Sequence, residues 1–379
     1  MEIDAMETSS VQIDAVHGWT SNPDPEEALD GIFGDRGTEG ASLGIVFVTP
    51  DHDLDRVGRL LDERFDCPVL ACTTAGEIGE YGYVVRGISA AALWGVEARV
   101  GVIRDAEGFG DAEAEALVAQ LGAGSIECTD SSVLLTIFDG LSMREEWMCS
   151  SLYRATGGVP MVGGSSGDGL TFDRAMVYVD GRFERGVSTC ALVHAESGIR
   201  TFVDHHFEDT GTVLVVTGTD PSTRRILEIN GVPAADAYAR ALGHGVGELT
   251  EGLTLKHPLM VRAGDRLYVR GVRALPGDGS LAMYCSIEEG AVLHVGRPGV
   301  MEDHLESLLA RTTAGIDPKL VMMFDCVLRR CEADRFGKFG PMGRCLSGYP
   351  VHGFSTYGEQ FNGVHVNQTV TGVVFGVES

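Results

Sequence analysis

The sequence predicts an α/β (α+β) protein whose layered, mixed sheets are built from one repeated strand–helix–strand–strand unit. Three similar phrases indicate this unit: P-V-L-A-C-T-T-A-G-E at 68–77, P-M-V-G-G-S-S-G-D at 160–168 and P-V-H-G-F-S-T-Y-G-E at 350–359. Each phrase starts with proline and apolar residues and continues with two hydroxyl residues and a glycine beside a carboxylate. Three copies in one chain indicate an architecture of internal repeats.

The sequence around the three phrases repeats as well. A helical stretch separates each phrase from an apolar, strand-like run before it, and these runs lie at 43–48, 133–138 and 320–324. After the first phrase, R-G-I-S-A-A-A-L (86–93) matches R-G-V-S-T-C-A-L (185–192) after the second at five of eight positions. The expected order in each copy is therefore strand, helix, strand, polar bend and strand.

Helix signals lie between the strand candidates. Asp24 is expected to cap a helix with Pro25 at its first position, and Glu27 would complete a capping box. Ser142 and Glu145 predict a second capping box. Further helices are predicted at 53–65, 112–121, 234–242 and 302–312.

The pattern of elements changes after about Gly198, where strand candidates at 213–217, 226–233, 266–272 and 281–287 replace the repeat. We therefore predict two domains, an N-terminal domain at 1–210 and a C-terminal domain at 211–379. No Pro- or Ser-rich linker separates them in the sequence. The two domains are thus expected to pack tightly.

Composition excludes several classes of partner. The 379 residues include 55 acidic and 29 basic residues, which gives a formal net charge of −26. Such a surface repels phosphate groups, whereas proteins that bind nucleic acid normally carry a basic patch. We therefore predict no nucleic-acid partner and no anionic membrane partner.

Three sequence features predict a cytoplasmic protein. The chain starts with M-E-I-D-A-M-E-T, which lacks the basic and apolar regions of a signal peptide. No apolar run approaches the length of a membrane span. The nine cysteines are scattered and odd in number, which favours free thiols over a disulfide framework.

The polar bends of the three phrases are the candidate ligand site. Their hydroxyls, backbone N–H groups and carboxylates would contact a small ligand, with glycine allowing close approach of the backbone. The alternative is a purely structural turn, in which the hydroxyls cap local backbone; the middle copy in particular fits this alternative. The predicted ligand-binding residues are Thr73, Thr74, Gly76, Glu77, Ser165, Ser166, Asp168, Arg329, Ser355, Thr356, Gly358, Glu359 and Asn367.

Arg329 enters this set because D-C-V-L-R-R places it close after Asp325, at the end of a buried-looking strand. The pair is either a structural ion pair or a clamp for an anionic group at the carboxyl end of the sheet, where α/β proteins bind ligands.

Catalysis and metal binding are not expected. G-G-S-S-G at 163–167 matches the nucleophile elbow of hydrolases, with Ser165 as nucleophile, but that motif requires a following helix. The residues after it look like a strand, and the sequence offers no recognisable base for Ser165. Cys326, Cys331 and Cys345 lack the paired spacing of a zinc site, so we predict a protein that is not an enzyme and holds no metal.

Several segments together resemble the FIST proteins (F-box and intracellular signal transduction). They are C-P-V-L-A-C-T-T-A-G-E-I, I-N-G-V-P-A-A-D-A-Y, F-D-C-V-L-R-R, and G-Y-P-V-H-G-F-S-T-Y-G-E-Q followed by V-N-Q-T-V-T. The resemblance spans about residues 19–375 and covers an N-terminal and a C-terminal FIST domain.

The resemblance implies a sensory protein that binds a small polar ligand, such as an amino acid or a small carboxylate. It also implies signalling in trans to a partner such as a histidine kinase. Some family members resemble haem-based nitric oxide sensors, so haem is the alternative ligand. His352, within the third phrase, and His365, shortly after it, are the candidate axial ligands of the haem. Otherwise no cofactor is expected.

Overall fold

The three phrases occupy matching places in three repeats of one structural unit. The computed structural model describes residues 12–122, 131–196 and 198–378, so the acidic N-terminal stretch lies outside it. The first repeat (14–94) consists of β1 (Asp14–Thr20), α1 (Pro25–Phe33), β2 (Leu43–Val48), α2 (Leu54–Arg64), β3 (Val69–Thr73), β4 (Glu77–Gly79), β5 (Gly82–Val84) and β6 (Ile88–Trp94). The second repeat (97–194) consists of β7 (Glu97–Ile103), α3 (Asp111–Gln120), β8 (Ser132–Phe138), α4 (Glu145–Ala155), β9 (Met161–Ser165), β10 (Val177–Val179), β11 (Arg182–Glu184) and β12 (Ser188–His194).

The third repeat is interrupted after its first strand, β13 (Ile199–Asp204). An inserted domain (207–298) follows, with β14 (Phe207–Asp220), β15 (Arg225–Ile229), β16 (Val232–Pro233), α5 (Ala234–Ala241), α6 (Glu251–Lys256), β17 (Leu259–Ala263), β18 (Arg266–Arg270), β19 (Val272–Ala274), β20 (Leu281–Met283) and β21 (Val292–Pro298). The repeat then resumes with α7 (Met301–Thr313), β22 (Ile316–Cys326), α8 (Val327–Arg335), α9 (Phe339–Leu346), β23 (Val351–Thr356), β24 (Glu359–Phe361), β25 (Val364–Val366) and β26 (Val370–Glu378).

Each repeat needs another repeat to complete its sheet. The repeats contribute the four-strand orders β1-β6-β2-β3, β7-β12-β8-β9 and β13-β26-β22-β23, in each of which the last two strands are parallel. Each sheet gains two more strands from a hairpin of another repeat. These are β10-β11 for the first sheet, β24-β25 for the second and β4-β5 for the third. The three repeats therefore exchange hairpins in a closed cycle.

The phrases meet where the hairpins cross. We name their polar residues bend 1 (73–77), bend 2 (165–168) and bend 3 (355–359). One backbone N–H in each bend donates to a backbone carbonyl of another bend, from Ala75 to Ser355 (3.0 Å), from Gly167 to Thr73 (2.9 Å) and from Tyr357 to Ser165 (3.1 Å). Because the three bonds join equivalent positions, the bends form a ring with approximate threefold symmetry.

The hydrophobic core lies between the three repeat sheets. Phe47 from the first repeat and Phe324 and Phe354 from the third repeat meet there, with 4.4 Å between the ring centres of Phe47 and Phe354. Leu135 and Val162 of the second repeat complete this part of the cluster. The helices pack on the outer faces of the sheets and bury smaller clusters there. The inserted domain has a separate core around its own sheet.

The predicted α/β class with mixed sheets in two packed domains is confirmed. The change of pattern after Gly198 corresponds to the start of the interrupted repeat. The proposed division between residues 210 and 211 falls inside β14. In the sheet topology, residues on both sides of the inserted domain belong to the third repeat.

Asp24 caps α1 as predicted, but Glu27 does not complete a capping box, because the Asp24 N–H donates to Asn22 Oδ1 (3.0 Å) instead. Asp53 likewise accepts a hydrogen bond from the first turn of α2.

The second predicted capping box is wrong as well. The capping box of Ser142 and Glu145 is not formed, because Met143 has a left-handed backbone (φ 57°) and α4 begins only at Glu145. The carboxylate of Glu145 has another role, described below.

A substitution at Gly167 tests the ring of bends. A β-carbon at Gly167 would lie 2.9 Å from the backbone nitrogen of Ala75, so Gly167→Ala pushes bends 1 and 2 apart. We expect a loss of about 1–3 kcal/mol in the free energy of unfolding, measured by urea denaturation. Gly31→Ala on α1 is the control, since nothing lies within 4 Å of its β-carbon and alanine favours helix. Equal stability of the two variants would contradict the constraint at the ring.

Candidate functional site

Bend 1 satisfies most of its polar groups internally. The Thr74 hydroxyl donates to Glu77 Oε1 (2.6 Å) and accepts from the Gly76 N–H (3.1 Å), while the Thr73 hydroxyl accepts from the Met176 N–H (2.8 Å). Glu77 Oε2 has no hydrogen-bond partner among the described residues. Burial raises the pKa of Glu77 to about 8, because the charged carboxylate would lose its hydration. Glu77 is therefore a neutral acid at pH 7.

Bend 3 has the same design. The Thr356 hydroxyl donates to Glu359 and accepts from the Gly358 N–H (3.3 Å). The hydroxyl of Thr369 lies 2.6 Å from Glu359 Oε2, so both carboxyl oxygens are bonded. Burial again raises the pKa, to about 8 for Glu359. The buried Ser355 hydroxyl has no hydrogen-bond partner in the described part of the chain.

Bend 2 differs, because its acid is ionised. Asp168 accepts hydrogen bonds from the hydroxyls of Thr171 and Tyr357 and from the backbone N–H groups of residues 172–174. Burial opposes ionisation, but these bonds outweigh it and lower the pKa of Asp168 to about 2. Asp168 therefore fixes the loop that follows the second phrase.

The two serines of bend 2 have local hydrogen-bond partners. Ser165 Oγ accepts from the side-chain amide of Gln360 (2.9 Å), and Ser166 Oγ accepts from the Gly140 N–H (3.2 Å). After Ser165 the chain forms a loop and then β10, without the helix of a nucleophile elbow. These contacts support the structural interpretation of the middle copy.

Asn367 lies beside bend 3 with both amide atoms buried and unbonded among the described residues. Its Nδ2 and the His365 ring pack against Gly358, where a β-carbon would lie 2.2 Å from His365 Cε1. Gly358 has a φ of 151°, which side chains rarely allow. A glycine is thus required at this position for packing as well as for conformation.

Arg329 belongs to a buried chain of polar side chains. Its Nε donates to Asp325 Oδ1 (2.5 Å), and Asp325 in turn accepts from the Tyr83 hydroxyl. Its Nη1 lies 3.0 Å from His206 Nδ1, and His206 Nε2 lies 3.0 Å from Glu332 Oε1. Only 2% of the surface of Arg329 is exposed, so its guanidinium contacts other buried side chains and not the solvent. This geometry favours the structural ion pair over the anion clamp.

A cavity of about 360 Å³ lies between the inserted domain and the second and third repeats. It is in the lower part of the size range of small-molecule sites. Its walls come from the loop after bend 2, α6, the region from β19 to Tyr284 just after β20, and α8. The lining residues are Leu170, Phe172, Glu251, Thr254, Leu255, Val272, Arg273, Ala274, Leu275, Tyr284, Val327, Leu328, Cys331 and Arg335.

None of the thirteen predicted ligand-binding residues lines this cavity. The bends come together beneath it and support its walls. Helix α8 makes the connection, because Val327, Leu328 and Cys331 line the cavity while Arg330 donates to the Ala75 carbonyl in bend 1. The sequence points toward the cavity through the D-C-V-L-R-R segment, but its Val327 and Leu328 belong to the lining and the predicted Arg329 does not.

Two arginines give the cavity its charge. Arg273 and Arg335 form no ion pair with any described residue, and Glu251 is the one carboxylate in the lining. Arg335 passes directly over Gly252, where a β-carbon would lie 2.8 Å from its Nη2. Both arginines are exposed at the mouth of the cavity, so in a chain with net charge −26 they offer an anionic group two cations without acidic partners among the described residues.

A buried ionic latch holds the inserted domain against the second repeat. Arg224 Nη2 donates to Glu145 Oε2 and Glu146 Oε2, both at 2.6 Å, and Arg224 Nη1 donates to the Tyr284 carbonyl (2.9 Å). The Ser286 N–H donates to Glu146 Oε1 (2.8 Å). Arg224 has a left-handed backbone (φ 50°), a conformation that costs free energy and persists where its surroundings enforce it. Since Tyr284 lines the cavity, the latch also sets the position of one cavity wall.

The fold and the cavity define an α/β protein with a ligand-sized cleft between a repeat body and an inserted domain. The FIST N domain model matches residues 42–232, and the FIST C domain model matches residues 234–362. This chain belongs to the FIST family. FIST domains are associated with signal transduction and with the sensing of small ligands.

Similarity to other known proteins is distant. A crystal structure of cyanuric acid hydrolase from A. caulinodans shares 10% identity at a TM-score of 0.29, over 50% of this chain and 72% of that chain. Another cyanuric acid hydrolase structure shares 8% identity at a TM-score of 0.36, over 97% of this chain and 100% of that chain. With these low TM-scores, neither similarity bears on function. No curated protein matches the chain.

No helix within 12–122, 131–196 and 198–378 is long and apolar enough to cross a membrane. The same residues contain no group of three or more His, Cys, Asp or Glu side chains arranged to hold a metal ion.

The raised pKa of Glu359 predicts a specific pH dependence of stability. The carboxyl is protonated in the folded state up to about pH 8 but ionises near its ordinary value of 4.5 when unfolded. Its contribution to stability is therefore complete below pH 4.5 and is lost as pH rises toward 8. Gln mimics the neutral acid and does not ionise. The free energy of unfolding of Glu359→Gln should therefore rise relative to that of the wild type by up to about 1.4 kcal/mol per pH unit in this range.

The measurement is urea denaturation of both proteins at several pH values. Exposed Glu115 on α3 provides the control, and Glu115→Gln should show a constant difference from the wild type. A difference for Glu359→Gln that does not grow with pH would show that Glu359 is already ionised at neutral pH.

The ionic latch predicts different results for two adjacent arginines. Arg224→Ala leaves Glu145, 2% exposed, without its counter-charge and should lower the free energy of unfolding by about 3–5 kcal/mol. Arg225→Ala removes the partly exposed pair with Asp278 and a hydrogen bond to the Ser280 hydroxyl, and should cost about 1 kcal/mol or less. Guanidinium denaturation monitored by circular dichroism compares the two. Similar losses would mean that the latch contributes no special stability.

Proposed function

We propose that this protein is a cytoplasmic sensor that binds a small polar ligand, an amino acid or small carboxylate, in the interdomain cavity and signals to a partner in trans. One observation carries the proposal: a cavity of about 360 Å³ that contains two arginines without acidic partners among the described residues. Cavities with apolar walls and a few placed polar groups are the usual form of small-molecule sites. The association of FIST domains with ligand sensing supports the same function.

The bends would act as the rigid base of this site. Their hydroxyls and acids bond mainly to one another and to local backbone, so they fix the loop after bend 2 and the start of α8. A base of this kind reduces the conformational entropy that ligand binding has to overcome. In this proposal the predicted residues position the ligand contacts without touching the ligand.

Helix α8 is the proposed route of the signal. One side of the helix lines the cavity through Val327, Leu328 and Cys331, while Arg329 and Glu332 on its other side both contact His206. His206 lies where the chain enters the inserted domain. A ligand that shifts α8 would therefore change how that domain is held against the repeats, and a signalling protein such as a histidine kinase would detect the change.

A cytoplasmic location is part of the proposal. The eight cysteines within the described residues are free thiols, and five of them are buried. Free cysteines are typical of a reducing compartment.

The residues do not fit a haem ligand at this cavity. Haem would need an exposed axial ligand from His352 or His365. The His352 ring stacks on Phe47, 4.9 Å between ring centres, with Nδ1 2.8 Å from the Ser89 hydroxyl. The His365 ring packs tightly against Gly358, and neither histidine is part of the lining.

The cavity thiol offers a direct test of ligand binding. Cys331 lines the cavity, whereas the similarly half-buried Cys345 lies elsewhere, against Glu302. We expect a binding amino acid or carboxylate to slow alkylation of Cys331 but not of Cys345, measured by peptide mass spectrometry. Binding should also raise the melting temperature, since a ligand at 100 times its Kd stabilises the folded state by about 2.7 kcal/mol.

Variants at the arginines complete this test. Arg273→Ala and Arg335→Ala should each abolish both effects, while Arg266→Ala, an exposed arginine of the same domain outside this cavity, should keep them. If both cavity variants respond like the wild type, the ligand binds elsewhere and the proposed site is wrong.

A further inference from the structure

The loop after bend 2 presents two apolar side chains at the cavity. Leu170 is 52% exposed and Phe172 is 42% exposed, and both belong to the lining. Exposed apolar side chains that line a cavity often mark a binding surface. The remaining apolar walls are Leu255, Val272, Ala274, Leu275, Val327 and Leu328.

Phe172 is held at the cavity by specific contacts. Its backbone is left-handed (φ 54°), a conformation that costs free energy for a residue other than glycine and persists where the surroundings enforce it. Asp168 Oδ1 accepts a hydrogen bond from the Phe172 N–H (2.9 Å), and the Phe172 ring stacks on Tyr357 with 4.3 Å between ring centres. Two of the three bends thus cooperate to keep one partly exposed aromatic ring in place.

The charges in the lining do not match a zwitterion. Arg273 and Arg335 carry two positive charges and Glu251 carries one negative charge, so the lining has a net charge of about +1 at neutral pH. A monocarboxylate would balance this charge. The ammonium group of an amino acid would instead add a cation near two arginines, at a cost in electrostatic energy.

We propose that the ligand is an apolar monocarboxylate, whose carboxylate binds Arg273 and Arg335 and whose apolar body packs on Phe172. This inference rests on the proposed function and narrows its ligand class. The apolar part of such a ligand would be buried against the planar Phe172 ring, and hydrogen bonds from the two arginines would orient its carboxylate. Polar amino acids and short carboxylates such as acetate would bind the arginines but lack an apolar part to pack on Phe172.

Matched probes test the ligand class. 3-Phenylpropionate and phenylalanine share a carbon skeleton and differ by the ammonium group, while acetate keeps only the carboxylate. Isothermal titration calorimetry with the full chain should give a Kd for 3-phenylpropionate at least about tenfold lower than for phenylalanine or acetate. Phe172→Ala should raise the Kd for 3-phenylpropionate by about tenfold. Tyr81→Ala, an exposed aromatic outside the lining, should have no effect.

The outcomes separate the inference from the proposed function. If phenylalanine binds as tightly as 3-phenylpropionate and protects Cys331 from alkylation, the cavity is a ligand site but the apolar monocarboxylate class is wrong. The same conclusion follows if Phe172→Ala binds 3-phenylpropionate like the wild type. If neither these probes nor other amino acids and carboxylates protect Cys331, both the inference and the proposed function fail.

Discussion

The ring of backbone hydrogen bonds among the three bends is the constraint on which the rest of the structure depends. Backbone groups buried at the centre of the protein have to be paired, and here each bend finds its partner in a different repeat. The hairpin that follows each bend is thereby directed into the sheet of another repeat. No repeat can therefore form its complete sheet alone, and the central core between the sheets assembles only when all three are present.

A nearly symmetric base supports an asymmetric site. The acids of bends 1 and 3 are neutral and bonded to a threonine, whereas Asp168 in bend 2 is ionised and organises the loop with Phe172. Only the third repeat carries an inserted domain, which covers one side of the ring and creates the cavity. Helix α8 and the latch at Arg224 connect this domain to the repeats. The chain thus combines a body of three repeats with one inserted domain, which polar contacts such as those of Arg224 hold against that body.

The repeat and the helices were predictable because their signals are local. Phrases, apolar runs and N-cap residues such as Asp24 and Asp53 can be recognised within a few positions. The hairpin exchange was not predictable, since a short strand such as β4 carries no information about which sheet it joins. The Ser142 capping box is not formed because Met143 has a left-handed backbone and because the Glu145 carboxylate binds Arg224, 79 residues later in the chain. The cavity could not be predicted either, because its lining comes from segments that lie far apart in the sequence. Its two arginines can be distinguished from the other arginines only when the structure shows that they have no acidic partners among the described residues.

The inserted domain enters and leaves the body at one point. The Gly299 N–H donates to the His206 carbonyl at 2.7 Å, and the strands that begin at Phe207 and end at Pro298 are antiparallel neighbours. The two ends of the 92-residue inserted domain (207–298) are therefore almost in contact, as is usual for a domain inserted into another domain. Because its two ends are so close, the inserted domain can change in sequence or length without changing the path of the chain through the three repeats.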